Sequence, residues 1–348
     1  DSLSLRRFEL ARGSGSVSYG SGGVGAFNVL MEGPSAEIYA TEGAVEHDSL
    51  GVETAFRTLE IQIENEEWGL QMPTRVRFEG SSIQTDEFRL VKSLSGVAVE
   101  GAPAVIEVRG TLDLEGTSDF ELNVSGMDLD RLAMVAQTER LPSGIVDLDL
   151  SISGPAGSPH MQGDVLVQDF ALNEIALSRL EGTVQYEDLA LQTLLTGELD
   201  GRRLFLIGGL VPVDLSFGEV EDRFPNRAID LAVAVDSFPA STALAFLDVI
   251  EGVEGSFDGQ IRLEGSPEDL RPSGEIRLRG GGMSFPGLGL RPTALSMDLR
   301  VREDFRVDIQ AEAFAGGRAE ITGTLGLVNL TDPEFDLRLS ASGFEAVD

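Results

Sequence analysis

Apolar and polar residues alternate along most of this chain. In residues 146–152 (VDLDLSI) every second residue is apolar, and residues 260–264 (QIRLE) and 305–311 (FRVDIQA) repeat the pattern. Period-two alternation places apolar side chains on one face of a β-strand and polar ones on the other. Strands with one wet face suit antiparallel pairing. Further segments with this pattern are residues 59–63, 106–108, 275–279 and 335–339.

Turns and two short helices interrupt the alternation. Residues 154–159 (GPAGSP) are typical of a turn, and residues 13–25, rich in Gly and Ser, predict a loop or hairpin tip. Residues 127–138 (MDLDRLAMVAQT) and 241–249 (STALAFLDV) carry helical patterns, the second with Ser241 as N-cap. The prediction is an all-β chain with helices near 128–138 and 241–249.

The strand pattern repeats within the chain. Gly154 and Gly163 recur as Gly265 and Gly274, each 111 residues later, with matching apolar positions around them. Repeated strand units indicate a stacked, repetitive sheet. We therefore expect an N-terminal β-repeat region at 1–118, repeats at 119–227 and 228–333, and the start of a further, truncated repeat at 334–348.

The composition of the chain argues against several classes of function and site. The 348 residues carry a formal net charge of −33, which repels phosphate backbones, so we expect no nucleic-acid partner. There is no cysteine, which excludes disulfides and Cys-based zinc sites. No run reaches the roughly 18 apolar residues of a membrane helix. The chain opens with Asp1 rather than Met, and we expect it to be part of a longer protein.

Catalytic signatures are missing from the sequence. His47 and His160 lie in polar, turn-like surroundings, and Gly20 to Gly25 fit GxGxxG only inside a Gly/Ser-rich stretch with no helix pattern after it. Asp147 and Asp149 belong to the polar phase of an alternating strand, as expected of a solvated face. We predict that the chain is not an enzyme and has no catalytic residue, cofactor or metal site.

One apolar surface is expected to collect the alternating residues. Asp147, Asp149, Arg262, Arg277 and Asp308 occupy the opposite phase and should point outward. The residues predicted to line the shared apolar face are Val146, Leu148, Leu150, Ile152, Val165, Val167, Phe257, Ile261, Leu263, Ile276, Leu278, Val307 and Ile309.

The order of strand and turn residues in these segments resembles that of the TamB and AsmA-like family. Residues 151–167 and 263–278 both have an apolar strand, a Gly-containing turn with Pro, and a Gly that opens the next apolar strand. Residues 8–19 (FELARGSGSVSY) and 332–337 (DPEFDL) are similar to phrases common in that family. The resemblance covers nearly the whole chain. It rests on the spacing of strands and on turn residues rather than on catalytic positions.

The resemblance implies both a fold and a function. Such proteins are tethered to the inner membrane by an N-terminal helix, which this sequence does not contain, and cross the periplasm. Their elongated antiparallel sheet curls into an open hydrophobic groove (a β-taco) that carries phospholipids between the inner and outer membranes. The implied partners are phospholipid acyl chains in the groove and, for parts outside this sequence, an outer-membrane β-barrel in outer-membrane protein assembly.

Two other functions compete with a lipid-carrying groove. The alternating residues would equally fill the dry, closed core of a structural or adhesive β-solenoid. Sequence alone does not separate a packed core from a lipid-lined groove. A carbohydrate-active parallel β-helix would need short coils of about 20–25 residues, whereas the copies here are roughly 100 to 115 residues long.

Overall fold

A computed structural model describes the chain except for residues 1–2, 6–7, 21–22, 34–36, 64–65, 94–102, 130–141, 173–174, 219, 221, 244–250, 285–292, 327–333 and 344–348. Among the described residues, strands β1 and β2 form a small antiparallel pair and the other 21 strands form an antiparallel sheet. The predicted all-β, antiparallel class is confirmed. Every alternating segment named above lies in a strand or begins one residue before it.

The strands are β1 (Leu3–Leu5), β2 (Phe8–Leu10), β3 (Arg12–Tyr19), β4 (Val24–Glu32), β5 (Ile38–His47), β6 (Val52–Ile63), β7 (Glu66–Leu70), β8 (Thr74–Glu79), β9 (Ser82–Ser93), β10 (Val105–Asp113), β11 (Thr117–Asp128), β12 (Ser143–Pro155), β13 (His160–Leu172), β14 (Ile175–Glu187), β15 (Ala190–Leu199), β16 (Arg202–Pro212), β17 (Ile229–Pro239), β18 (Glu251–Ser266), β19 (Asp269–Ser284), β20 (Thr293–Val301), β21 (Arg306–Ala315), β22 (Gly317–Gly326) and β23 (Glu334–Ser342). A short helix, α1, covers Ala240–Ala243.

The chain divides into two units. The first contains Asp1–Leu172, Thr183–Leu189 and Leu215–Arg223, and the second contains the remaining residues. In the first unit, β3 to β6 pair in chain order, and β9 to β13 do the same. Strands β7 and β8 both pair with β6 and with β9, so together they form one interrupted strand. In the second unit, β15 to β23 pair in chain order.

The two predicted helices have different outcomes. The first lies mostly outside the described residues, and its opening residues Met127 and Asp128 are still part of β11. The second begins one residue early, at Ala240, and is described only to Ala243. The Gly/Ser-rich stretch was predicted too broadly as a loop, because β3 runs from Arg12 to Tyr19 and the tip begins at Gly20. Pairing with β4 outweighs the low strand propensity of Gly and Ser there.

The 111-residue spacing is visible in the backbone. Strands β11, β12 and β13 correspond to β17, β18 and β19 at that offset. Positive φ angles recur in step: Gly126 with Ser237, Gly144 with Gly255, Gly154 with Gly265, and Asp169 with Gly280. Such angles mark the same bulges and turns in both copies. The division into repeats at 118, 227 and 333 stays a prediction.

Candidate functional site

The strand register of the second unit brings apolar residues onto one face. Directly opposed residues of antiparallel strands project to the same side of a sheet. Ile261 is opposite Val233 of β17, and Ile276 is opposite Leu299 of β20, which is in turn opposite Ile309 of β21. The register places on this face all seven residues predicted for this part of the chain: Phe257, Ile261, Leu263, Ile276, Leu278, Val307 and Ile309.

The first unit has an equivalent face. Leu148 is opposite Val165, and Val146 is opposite Val167, between strands β12 and β13. Leu150 is opposite Leu122 of β11. The six residues predicted here therefore share one side of the sheet: Val146, Leu148, Leu150, Ile152, Val165 and Val167.

Burial divides these thirteen residues into two groups. Five are buried: Val146, Ile152, Val167, Leu278 and Val307. The other eight, including Ile261 and Ile276 in mid-strand, are only half-buried. Core residues of a packed sandwich are normally covered from the opposite side. Much of this apolar face is therefore incompletely covered.

Helix α1 covers one part of the face in the second unit. Ala240 is fully buried and belongs to a cluster with Leu278, which is 1% exposed, and with Leu295, Ala311 and Ala313. Full burial of a leucine side chain stabilises a fold by about 1.5–3 kcal/mol. Leu278 is thus a packing residue beside the helix, whereas Ile261 and Ile276 lie on the half-buried part of the face.

An apolar depression of about 420 Å³ lies on that half-buried part. The rings of Phe205 and Phe238 are 6.3 Å apart at its wall. The Phe205 ring lies over Gly197 of β15, where a Cβ atom would come within 2.2 Å of it. The described residues that line it are Phe205, Ile207, Val233, Val235, Phe238, Phe257 and Ile276, and none of these seven is polar.

Sequence reasoning missed five of those seven residues. Residues 204–207 (LFLI) and 231–235 (LAVAV) are apolar in both phases, so alternation does not mark which side chains face inward. The 111-residue offset was the available signal, because it aligns Val233 and Val235 with Leu122 and Val124 of β11.

The opposite face of the second unit carries a ladder of ion pairs. Arg277 lies 3.1 Å from Asp298 and 2.6 Å from Glu275, which also pairs with Arg300 at 2.8 Å. The hydrogen bond and charge of Arg300 lower the pKa of Glu275 below its ordinary value. These side chains are well exposed, so each pair adds little stability. Their alternating signs keep this face hydrated.

The contacts of Arg262 show that its side chain projects from the polar face of the sheet. It binds Asp230 bidentately, with nitrogen–oxygen distances of 2.9 and 2.8 Å, and its hydrogen bond lowers the pKa of Asp230. Its chain neighbours Ile261 and Leu263 lie on the apolar side. Of the residues predicted to point outward, Asp149, Arg262 and Arg277 are exposed, and Asp147 and Asp308 are half-buried.

Asp147 and Asp149 have separate local partners. Asp147 accepts a hydrogen bond from the backbone N–H of Gly126 at 2.8 Å. Asp149 accepts one from the side-chain amide of Asn123 at 2.6 Å and lies opposite Asp164 across the strands. Asp147 is therefore more than a solvated strand residue, because it anchors a bulge in β11.

The other singled-out residues lie at the surface. His47 is exposed at the end of β5. His160 is exposed too, with its Nε2 atom 2.9 Å from Glu187 Oε1. Within the described ranges, no group of three or more His, Cys, Asp or Glu residues is arranged to hold a metal ion.

Across the described residues, none of the helices has the length and apolarity needed to cross a bilayer. Comparison of the chain with protein-family models, curated proteins and solved structures finds no match in any of the three. The resemblance to TamB and AsmA-like proteins therefore stays a prediction from the sequence.

Proposed function

We propose that the apolar sheet face binds phospholipid acyl chains, and that the chain is a segment of a TamB/AsmA-like bridge. In this role it carries phospholipids across the periplasm between the inner and outer membranes. The tether and any outer-membrane protein partner would belong to other parts of such a protein. One observation carries the proposal: residues in the middle of the apolar face, such as Ile261 and Ile276, are only half-buried.

The energetics of such a face suit a lipid in transit. Burying an acyl chain is worth about 0.8 kcal/mol per methylene. In the second unit the strands β15 to β23 lie side by side, and a spacing of about 4.8 Å makes the path across them about 38 Å long. This exceeds the roughly 15 Å depth of one bilayer leaflet. A lipid moving between equivalent contacts keeps most of its burial energy at each step.

A closed β-solenoid is the competing function. Its interior would be dry, and the apolar residues would pack against a second layer. The cluster of Ala240 and Leu278 has that character, but the half-buried Ile261 and Leu263 do not. Incomplete burial at the centre of the face favours lipid binding over a purely structural role.

Native mass spectrometry of the purified chain tests the proposal. Co-purified phospholipid is the expected result, released as intact lipid on activation. A bare protein mass, unchanged after incubation with dioleoyl phosphatidylethanolamine in nonionic detergent, would favour the solenoid.

Site-specific photo-crosslinking gives a sharper test. A photoreactive residue at position 261 should capture phospholipid in cells, and the same residue at position 262 should not. The two positions are adjacent but project to opposite faces. Equal labelling at both, or at neither, would remove the case for a lipid-binding face.

A further inference from the structure

Gly259 opens a gap in the apolar face of the second unit. It occupies the apolar phase of β18, between Phe257 and Ile261. It lies opposite Val235 of β17 and Ile276 of β19. Gly259 carries no side chain, and the backbone leaves no room for one, because a Cβ atom there would lie 2.1 Å from the carbonyl oxygen of Glu275. No side chain of this residue therefore projects between Val235 and Ile276. Both of them line the 420 Å³ depression.

The other copy of the repeat has this position filled. Residue 148, which is 111 residues earlier, is Leu148, opposite Val124 and Val165. Two of its neighbours are thus equivalent to Val235 and Ile276, and the leucine side chain covers the space between them. At this position the second copy has a glycine where the first has a leucine.

Aromatic side chains shape the walls of the hollow. Phe238 and Phe257 are directly opposed across β17 and β18, and Phe205 stands beside Phe238 at 6.3 Å between ring centroids. The Phe205 ring lies over Gly197, where there is no side chain to occupy the same space. The volume of about 420 Å³ is within the range of about 300–1,000 Å³ typical of small-molecule sites. None of the described residues that line it is polar, so the aliphatic chain of a lipid suits it.

We propose that this hollow is a preferred binding site, here called the station, for one phospholipid acyl chain. A lipid would rest here with part of its chain between Phe205, Phe238 and Ile276, more tightly than on the remainder of the face. The inference rests on the proposed lipid-binding function and adds a preferred position to it. The equivalent place in the first unit, at Leu148, has no such station.

A larger side chain in the wall of the hollow tests whether an acyl chain binds there preferentially. Val235→Phe adds a ring beside Gly259, and each methylene thereby excluded lowers the affinity about fourfold. We expect the tightest phospholipid adduct to weaken at least tenfold. The matched control is Val124→Phe, the same change at the equivalent position facing Leu148, which should leave that adduct unchanged. Gly259 itself is unsuitable, because its φ of +148° disfavours any side chain.

The measurement is a native mass spectrometry titration with dioleoyl phosphatidylethanolamine. Selective weakening in Val235→Phe supports the station. Equal effects in both variants, or none in either, overturn the station and leave the proposed function standing. A wild-type chain that binds no phospholipid refutes the proposed function instead.

A second measurement does not depend on a variant that folds. Wild-type protein is loaded with a phospholipid carrying a diazirine in mid-chain, irradiated and digested. Adducts should concentrate on peptides that contain Phe205, Phe238 or Phe257. Uniform adducts across both units, with peptides containing Leu148 labelled equally, would overturn the station. Ile276→Phe and its equivalent Val165→Phe provide a second matched pair if Val235→Phe does not fold.

Discussion

The carboxylate of Asp258 accepts a hydrogen bond from the backbone N–H of Ser237 at 2.8 Å. The same bond, with the same length, joins Asp147 to Gly126, and both residues are 111 positions earlier. Each N–H belongs to a bulge in which the chain has positive φ, 54° at Ser237 and 64° at Gly126. A bulge leaves a residue outside the ladder, and the aspartate supplies the acceptor that its N–H would otherwise lack.

Removing this acceptor should destabilise the second unit. We expect Asp258→Ala to lower the free energy of unfolding by about 1–3 kcal/mol, because a hydrogen bond to a charged group is lost at a half-buried site. Urea denaturation measures the change. Asp164→Ala is the control: its carboxylate is exposed and faces Asp149, so its loss should change stability by less than about 0.5 kcal/mol. Equal effects would show that the bulge needs no anchor.

Acid should act on the turn between β5 and β6. The N–H groups of Leu50 and Gly51 donate to Asp48 at 2.8 and 2.9 Å, and Arg77 adds a further bond. These contacts lower the pKa of Asp48 from 3.8 to about 2. A carboxylate whose pKa is lowered on folding stabilises the protein above its unfolded pKa and loses that effect as the pH falls through the folded value.

The variant Asp48→Asn isolates this effect because it cannot titrate. The stability difference between wild type and variant should be constant above about pH 5 and shrink as the pH falls from about 4 to 2. Urea midpoints at several pH values measure it. A difference that is independent of pH would contradict the lowered pKa.

Alternation along the sequence predicted the strands and the faces of residues 146–152 and 260–264, because period two is a local property of the backbone. It failed where both faces are apolar. Leu206, Ala232 and Ala234 lie on the otherwise polar side of β16 and β17, so no phase stands out there. The hollow at Gly259 was also out of reach, because Phe205 and Ile276 approach it from strands distant in sequence.

Two glycines at equivalent positions should differ in tolerance. Gly274 has a φ of +146°, and a Cβ atom there would lie 2.2 Å from the carbonyl oxygen of Gln260. At Gly163, 111 residues earlier, the nearest backbone atom would be 3.6 Å away, at ordinary contact distance. Gly274→Ala should therefore cost about 1–3 kcal/mol of unfolding free energy, and Gly163→Ala less than about 1 kcal/mol. Chemical denaturation of both variants gives the comparison, and similar losses would contradict the backbone explanation.

A charge introduced on the apolar face should cost less stability at the half-buried part than in the packed cluster under α1. Ile261→Asp places a carboxylate on the half-buried part of the face, where water reaches it, so the protein should fold with a modest loss of stability. Leu278→Asp places one in the cluster under α1, where the side chain is 1% exposed. Burying an unpaired charge costs several kcal/mol, so we expect at least about 4 kcal/mol of lost stability or failure to fold.

Lipid binding should respond differently from stability. The carboxylate of Ile261→Asp would have to be desolvated by any acyl chain that crosses it, so bound phospholipid should fall at least tenfold although the fold is kept. Ser273→Asp is the control, because residue 273 lies opposite Arg262 on the polar face and gains the same charge. Thermal unfolding by circular dichroism reports the fold, and native mass spectrometry reports the lipid. If Ile261→Asp unfolds the protein as severely as Leu278→Asp does, the face at Ile261 is part of a closed core and the solenoid becomes the better explanation.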